Sequence, residues 1–131
     1  MAIKLNHTIV NVKSKRASAK FFTELFGLPP AKPFGAYFLT VELANGVTLD
    51  FCSSDTKPEP QHYAFLVSEK EFDAIFGRIQ KKGIGYWADP MKKEKGRINH
   101  HDGGRGVYFE DPSGHFLEII TRPYGSEAEN Q

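Results

Sequence analysis

Two histidines and two carboxylates recur at equivalent places in two similar halves of the sequence. His7 and His62 each lie in an alternating, strand-like segment, whereas Asp50 and Glu118 each lie four residues after a turn glycine. Imidazole nitrogens and carboxylate oxygens bind divalent transition metals, which need several donors at about 2 Å. The alternative is four unrelated polar residues, but their equivalence in both halves favours a metal site with open positions for substrate.

The elements that would hold these residues follow one order twice. The first half runs from about residue 3 to 53, beginning with a strand over 3–12. Ser14 is a suitable N-cap for a helix, and Gly27 is a suitable C-terminal cap. The three prolines that follow predict an irregular crossing. Alternation then predicts strands over 36–43 and 47–52, joined by a two-residue hairpin turn at Asn45-Gly46.

The second half runs from about residue 61 to 121, after a linker over 54–60. A strand over 61–67 leads into a helix whose first turn carries a capping box formed by Ser68 and Glu71. Further strands are predicted over the segments 85–88, 106–110 and 115–121. A long polar loop spans 89–104, and 125–131 is predicted to be a solvated, frayed tail.

Strand alternation assigns side chains to the two faces of the sheets. Apolar residues such as Val10, Phe51, Phe65 and Ile119 have the parity expected for the face beneath the helices. The two histidines and two carboxylates have the opposite parity. The fold is therefore predicted to be α+β, with one sheet face left open to carry the four polar groups.

Composition excludes several classes of function. The chain has 131 residues, 40% hydrophobic content and a net charge of +1. These values predict one compact domain, or two small halves that share one core, with no nucleic-acid partner. We find no apolar run of about 18 residues and no basic-then-apolar leader, so neither a membrane span nor a signal peptide is expected. The single cysteine, Cys52, fits a reducing, cytoplasmic location.

The sequence resembles the vicinal oxygen chelate superfamily over nearly its whole length. The superfamily includes glyoxalase I, fosfomycin-resistance proteins, extradiol dioxygenases and bleomycin-binding proteins. The resemblance is most specific over 108–119, and weaker over 5–7 and 61–62. It implies two βαβββ modules that form a cup, with an incompletely closed mixed sheet and the helices outside. Relatives are commonly dimers, so a homodimer is expected.

The resemblance also implies the ligand set. Family ligands fall on the first and last strand of each module, which here gives His7, Asp50, His62 and Glu118. Glyoxalases have Glu where this chain has Asp50, and the shorter side chain leaves two alternatives open. Either all four residues bind the metal, or His7, His62 and Glu118 form a three-ligand site. The donors suit Zn, Ni, Mn or Fe.

The functional expectation is a metal-dependent enzyme whose small substrate chelates the metal through vicinal oxygens. A glyoxalase-like lyase or isomerase is the first hypothesis, with thiol transferase and dioxygenase chemistry left open. Either Glu118 or Asp50 could exchange between ligand and general base, and Glu118 is the expected catalytic residue. The alternative is a non-catalytic, bleomycin-resistance-like protein that sequesters a drug or flat aromatic ligand. Four aromatic residues could line such a pocket: Phe34, Tyr37, Phe38 and Trp87.

Other residues are candidates for a substrate site. Arg105 and Tyr108 could contact an anionic or phenolic substrate, and His100 lies in the long glycine-containing loop. An exposed position on a rim or mobile loop is the alternative for all three. His115 is expected to be structural, and Cys52 to be a small packing residue.

Overall fold

A computed structural model of the protein describes residues 2–126 and has mixed α+β structure. The chain divides into two compact units, residues 1–59 (unit 1) and 60–131 (unit 2). Unit 1 contains β1 (His7–Val12), α1 (Lys15–Phe26), β2 (Lys32–Phe34), β3 (Phe38–Glu42) and β4 (Thr48–Ser53). Unit 2 contains β5 (His62–Leu66), α2 (Glu69–Lys81), β6 (Tyr86–Trp87), β7 (Gly106–Glu110) and β8 (Phe116–Ile120). The predicted pair of βαβββ modules is confirmed.

Each unit has one four-stranded mixed sheet, and the two sheets share one topology. The strand orders are β1-β4-β3-β2 and β5-β8-β7-β6, so the first and last strands of each unit pair in parallel. His7 lies opposite Thr48, two residues before Asp50, and His62 lies opposite Phe116, two residues before Glu118. The register therefore gives each histidine and its carboxylate equivalent places in the two sheets.

Each helix begins as the sequence predicts. The Ser14 hydroxyl accepts from the Ala17 N–H at the start of α1, and Ser68 and Glu71 form both hydrogen bonds of the capping box. These bonds satisfy amide donors that have no partner within the helix. Gly27, at φ 69°, ends α1 in the left-handed conformation that glycine adopts at little cost.

Buried apolar side chains lie on the helix side of each sheet. In unit 1 the core includes Val10, Phe22 and Phe51, and the rings of Phe22 and Phe51 are 6.0 Å apart. In unit 2, Phe72 and Ile119 are fully buried. In residues 2–126, no helix is both long and apolar enough to cross a membrane.

The structure differs from the predicted elements in the first strand, which begins at residue 7 and not at residue 3, in two connections and in the tail. The proline-rich crossing contains β2, which pairs with β3 at the outer edge of its sheet. Pro33 is tolerated there because an edge strand has no further strand that would need a hydrogen from its nitrogen. The hairpin turn is not the two-residue type, because only Gly46 has positive φ and the Gly46 N–H donates to Leu43. Residues 124–126 form a turn, while 127–131 of the predicted tail lie outside the described residues.

Candidate metal centre in the second unit

The structure brings His62 and Glu118 together in unit 2. His62 Nε2 lies 3.0 Å from Glu118 Oε1, although the two residues are 56 positions apart in the chain. The parallel pairing of β5 with β8 places both side chains on one face of the sheet. Glu118 is only 1% exposed, so its carboxylate is held in a fixed environment. A divalent metal commonly has three or four protein ligands, so an imidazole nitrogen and a carboxylate oxygen at this spacing would supply half or more of them.

A backbone carbonyl fixes the orientation of the His62 ring. His62 Nδ1 lies 2.9 Å from the Phe116 carbonyl oxygen, which can only accept a hydrogen bond. Nδ1 therefore carries a hydrogen, and Nε2 is the nitrogen available to bind a metal. The same outer hydrogen bond orients histidine ligands in many metal sites. The donor chemistry of the pair thus fits the divalent metal that the sequence predicts.

Two tyrosines extend this network beyond the carboxylate. The Tyr124 hydroxyl donates a hydrogen bond to Glu118 Oε2. Because a hydroxyl has one hydrogen, Tyr108 must be the donor in the 3.0 Å contact between the two tyrosine oxygens. Burial and the hydrogen bond to Glu118 raise the pKa of Tyr124 well above 10. Burial also raises the pKa of Tyr108, against the opposing effect of its contact with Tyr124. Both hydroxyls are therefore protonated donors at neutral pH.

Aromatic rings cover the sheet face beside His62 and Glu118. We call Trp87, Tyr108 and Phe116 the aromatic shelf. The rings of Tyr108 and Phe116 stack 5.3 Å apart at 18°, and Trp87 lies 6.2 Å from Phe116. The His62 ring stacks 5.8 Å from Tyr108, which places the shelf beside the His62–Glu118 pair. Tyr108 is buried, so it does not occupy an exposed rim.

The ammonium group of Lys92 lies over two rings of the aromatic shelf. Lys92 Nζ is 5.2 Å from the centre of the Trp87 ring and 5.3 Å from that of Phe116. It also forms an ion pair with Glu110, on the face that carries Glu118. Lys92 has φ 59°, an uncommon conformation for a non-glycine residue. Neither Lys92 nor Glu110 was among the site residues predicted from the sequence.

The equivalent residues of unit 1 have different contacts. His7 Nδ1 lies 2.7 Å from the neighbouring Asn6 amide oxygen, and the ring is exposed. Asp50 is buried, and one of its oxygens accepts a 2.9 Å hydrogen bond from Thr40. Within either unit, the described residues contain no group of three His, Cys, Asp or Glu side chains that could hold a metal ion.

The remaining predicted residues have other surroundings. Arg105 forms ion pairs with Glu69 and Asp73, and its guanidinium lies 4.4 Å from the centre of the Phe72 ring, so it ties the start of β7 to α2. His100 is exposed and precedes a short 3-10 turn over 101–103. We therefore propose no substrate contact for either residue.

Two further residues were predicted to have structural or packing roles. His115 is 2% exposed and accepts a hydrogen bond from the Gln61 N–H through Nδ1. Cys52 is half-buried on the face that carries Asp50.

Comparison with known proteins identifies the family. The model of the glyoxalase/bleomycin resistance protein/dioxygenase superfamily matches residues 4–119. The chain belongs to this superfamily. The match confirms the resemblance to vicinal oxygen chelate proteins that the sequence indicated.

Three proteins are similar to this chain over most of its length. A solved structure named Oxidase ChaP-H2 shares 57% identity and a TM-score of 0.93, covering 97% of this chain and 99% of the other. The glutathione transferase FosA of Serratia marcescens is 31% identical over 91% of this chain and 81% of its own length. The metallothiol transferase FosB of Shouchella clausii is 27% identical over 89% and 79%. All three carry enzyme names, which supports an enzyme over a sequestering protein.

Proposed function

We propose that this superfamily member is a metal-dependent oxidase that uses molecular oxygen on a flat aromatic substrate with two adjacent oxygen atoms. One observation carries the proposal: the His62–Glu118 pair adjoins the aromatic shelf, so one molecule can stack on the rings and reach the pair. The 57% identity to a protein named as an oxidase supports oxidation over the thiol-transferase and lyase alternatives.

The proposed metal ligands are His62, Glu118 and His7. His7 is the unit 1 counterpart of His62 by register. Asp50 is a weaker candidate for a fourth ligand, because its carboxylate already accepts from Thr40 and is one methylene shorter than that of Glu118. When bound, the metal would act as a Lewis acid toward the substrate oxygens and exchange electrons with oxygen. Zn has no redox chemistry, so oxidation favours Fe or Mn over Zn.

The residues of the chain have separate tasks in this proposal. Trp87 and Phe116 orient a flat substrate by stacking, and Lys92 attracts a negative charge on it. Glu118 is the proposed general base, because it is the carboxylate nearest the site that would receive the substrate hydroxyl. Tyr108 stacks against the His62 ring and so helps to hold its orientation.

We also propose that the active form is a homodimer. β1 and β5 are edge strands of their sheets, and exposed apolar residues lie on or just before them: Leu5, Ile9 and Leu66. An exposed apolar edge strand is a surface that proteins usually cover. A second copy of the chain would cover these apolar edges.

Oxygen uptake tests the proposed reaction. Protein loaded in turn with Fe, Mn, Ni and Zn would be mixed with sulfonated 1,2-dihydroxyanthraquinone or 2,3-dihydroxynaphthalene in an oxygen-electrode cell. We expect substrate-dependent oxygen consumption with Fe or Mn. Parallel assays would follow glutathione addition to fosfomycin and isomerisation of the methylglyoxal–glutathione adduct. Turnover in either of these assays without oxygen uptake would contradict the oxidase proposal and favour a transferase or lyase.

Lys92→Met is expected to weaken binding of an anionic flat ligand. Trp87 is the single tryptophan, so its fluorescence reports directly on the shelf. The sulfonated anthraquinone should quench it saturably, and loss of the half-exposed Lys92 charge should raise the dissociation constant about threefold to fivefold. The methionine keeps the apolar stem of the side chain in place.

The matched control is Lys93→Met, because the neighbouring lysine is exposed in the same loop. It should leave the dissociation constant unchanged. The unsulfonated parent dihydroxyanthraquinone carries less negative charge, so Lys92→Met should weaken its binding less than that of the sulfonated ligand. Equal loss with the two ligands would argue against charge recognition by Lys92.

A further inference from the structure

The chain segment after β8 folds back onto Glu118. We call residues 122–126 the strap. Tyr124, in the strap, has 53% of its surface exposed, yet its hydroxyl donates to a carboxylate that is 1% exposed. One aromatic ring therefore connects solvent to the buried Glu118. A tyrosine held only loosely at the surface would not be expected to form a hydrogen bond to this buried carboxylate.

Contacts with the loop before β7 hold the strap in place. The Gly125 N–H donates to Asp102 Oδ2 at 3.0 Å, and the His101 ring meets the Tyr124 ring edge-on at 6.2 Å. Asp102 has φ 56°, a left-handed conformation that aspartate tolerates better than most residues. The Arg122 side chain approaches the Ser126 hydroxyl at 3.4 Å within the strap itself.

We propose that Tyr124 is a positioning residue for Glu118, and that Asp102 fastens the strap so that Tyr124 can act. This inference rests on the proposed metal site. Tyr124 occupies Oε2 of the carboxylate, which leaves Oε1 directed at His62 Nε2, where the metal would bind. Without the hydroxyl, the carboxylate can rotate about its last bond and presents the ligand oxygen less often. Outer hydrogen bonds to metal ligands commonly act in this manner.

Tyr124→Phe tests the inference through metal affinity and not through activity. The change removes one hydroxyl from a half-exposed ring, so the fold should survive. We expect the dissociation constant for Co²⁺ and Mn²⁺, measured by chelator competition, to rise about tenfold. The visible absorption of the Co²⁺ form should also change, because the carboxylate geometry changes. Tyr37→Phe, at another exposed tyrosine, should change neither readout.

Two substitutions at Asp102 test the strap without altering Tyr124. Asp102→Gly keeps the left-handed backbone but removes the acceptor for the Gly125 N–H, and it should weaken metal binding about threefold to tenfold. Asp102→Asn keeps an acceptor oxygen and should bind metal like the wild type. A purely structural strap would lower the thermal midpoint of Asp102→Gly and leave metal affinity unchanged.

The outcomes separate this inference from the proposed function. If wild type binds metal and both Tyr124→Phe and Asp102→Gly bind it equally well, the positioning role is wrong and the metal site stands. If wild type binds none of the metals, both proposals are wrong. Weaker binding in Tyr124→Phe and Asp102→Gly, with wild-type binding in Asp102→Asn, is the predicted result.

Discussion

Replacing Glu118 with Gln is expected to weaken divalent metal binding at least tenfold, a change of about 1.4 kcal/mol. A ligand carboxylate binds as an anion, whereas a neutral amide is a poorer donor to hard or borderline cations. Glu118 is buried against His62 and Tyr124, so water cannot easily replace the lost ligand. The measurement is the dissociation constant for Zn, Ni, Mn and Fe by chelator competition, with oxygen uptake expected to fall in parallel.

Glu110→Gln is the matched control, because it removes the same charge from the same sheet face of unit 2. Glu110 pairs with Lys92 and is not a proposed ligand, so metal affinity should stay close to that of wild type. Equal weakening in both variants would mean that net charge, and not ligation by Glu118, governs binding. Asp50→Asn separates the two ligand sets: a small effect supports three ligands, and an effect like that of Glu118→Gln supports four.

Phe72→Ala is expected to lower the free energy of unfolding by about 3–5 kcal/mol, a large fraction of the stability of a small domain. The ring is fully buried on the inner side of α2, 5.7 Å from the Phe76 ring. Arg105 covers its face, so truncation also removes a cation–π contact between β7 and α2. Urea denaturation followed by circular dichroism measures the change.

Phe34→Ala is the corresponding control in an exposed position. Phe34 lies on the edge strand β2 and is 64% exposed, so its removal leaves no cavity. We expect a loss within about 0.5 kcal/mol, as for most surface substitutions. Similar losses for Phe72→Ala and Phe34→Ala would contradict the placement of the core beneath α2.

Local sequence signals predicted most of the fold. The capping box at Ser68 and the glycine after α1 mark helix ends by chemistry that acts over a few residues, so the sequence alone reveals them. β2 was missed because three prolines nearby argue against regular structure, and only its edge position permits Pro33 in a strand. The Asn45-Gly46 turn was assigned wrongly because its type depends on the register of β3 with β4.

The candidate site was predictable where strand parity applies. His62 and Glu118 were placed on one face by alternation, and the structure joins them. Strand parity also separates Arg105 from Tyr108. Odd-numbered positions in and next to β7 face α2, so parity places Arg105 with the helix contacts and not with the substrate residues. Tyr124 and Lys92 lie in a turn and a loop, outside any repeating pattern, so only their three-dimensional contacts identify them.

A crystal structure of the protein grown with Mn²⁺ or Fe²⁺, with anomalous scattering recorded at the metal edge, tests the central claim most directly. We predict one anomalous peak per chain, bonded to His62 Nε2 and a Glu118 oxygen, with His7 of the same or a partner chain as a further ligand. An absent peak, or a peak that lies away from both His62 and Glu118, would contradict the account.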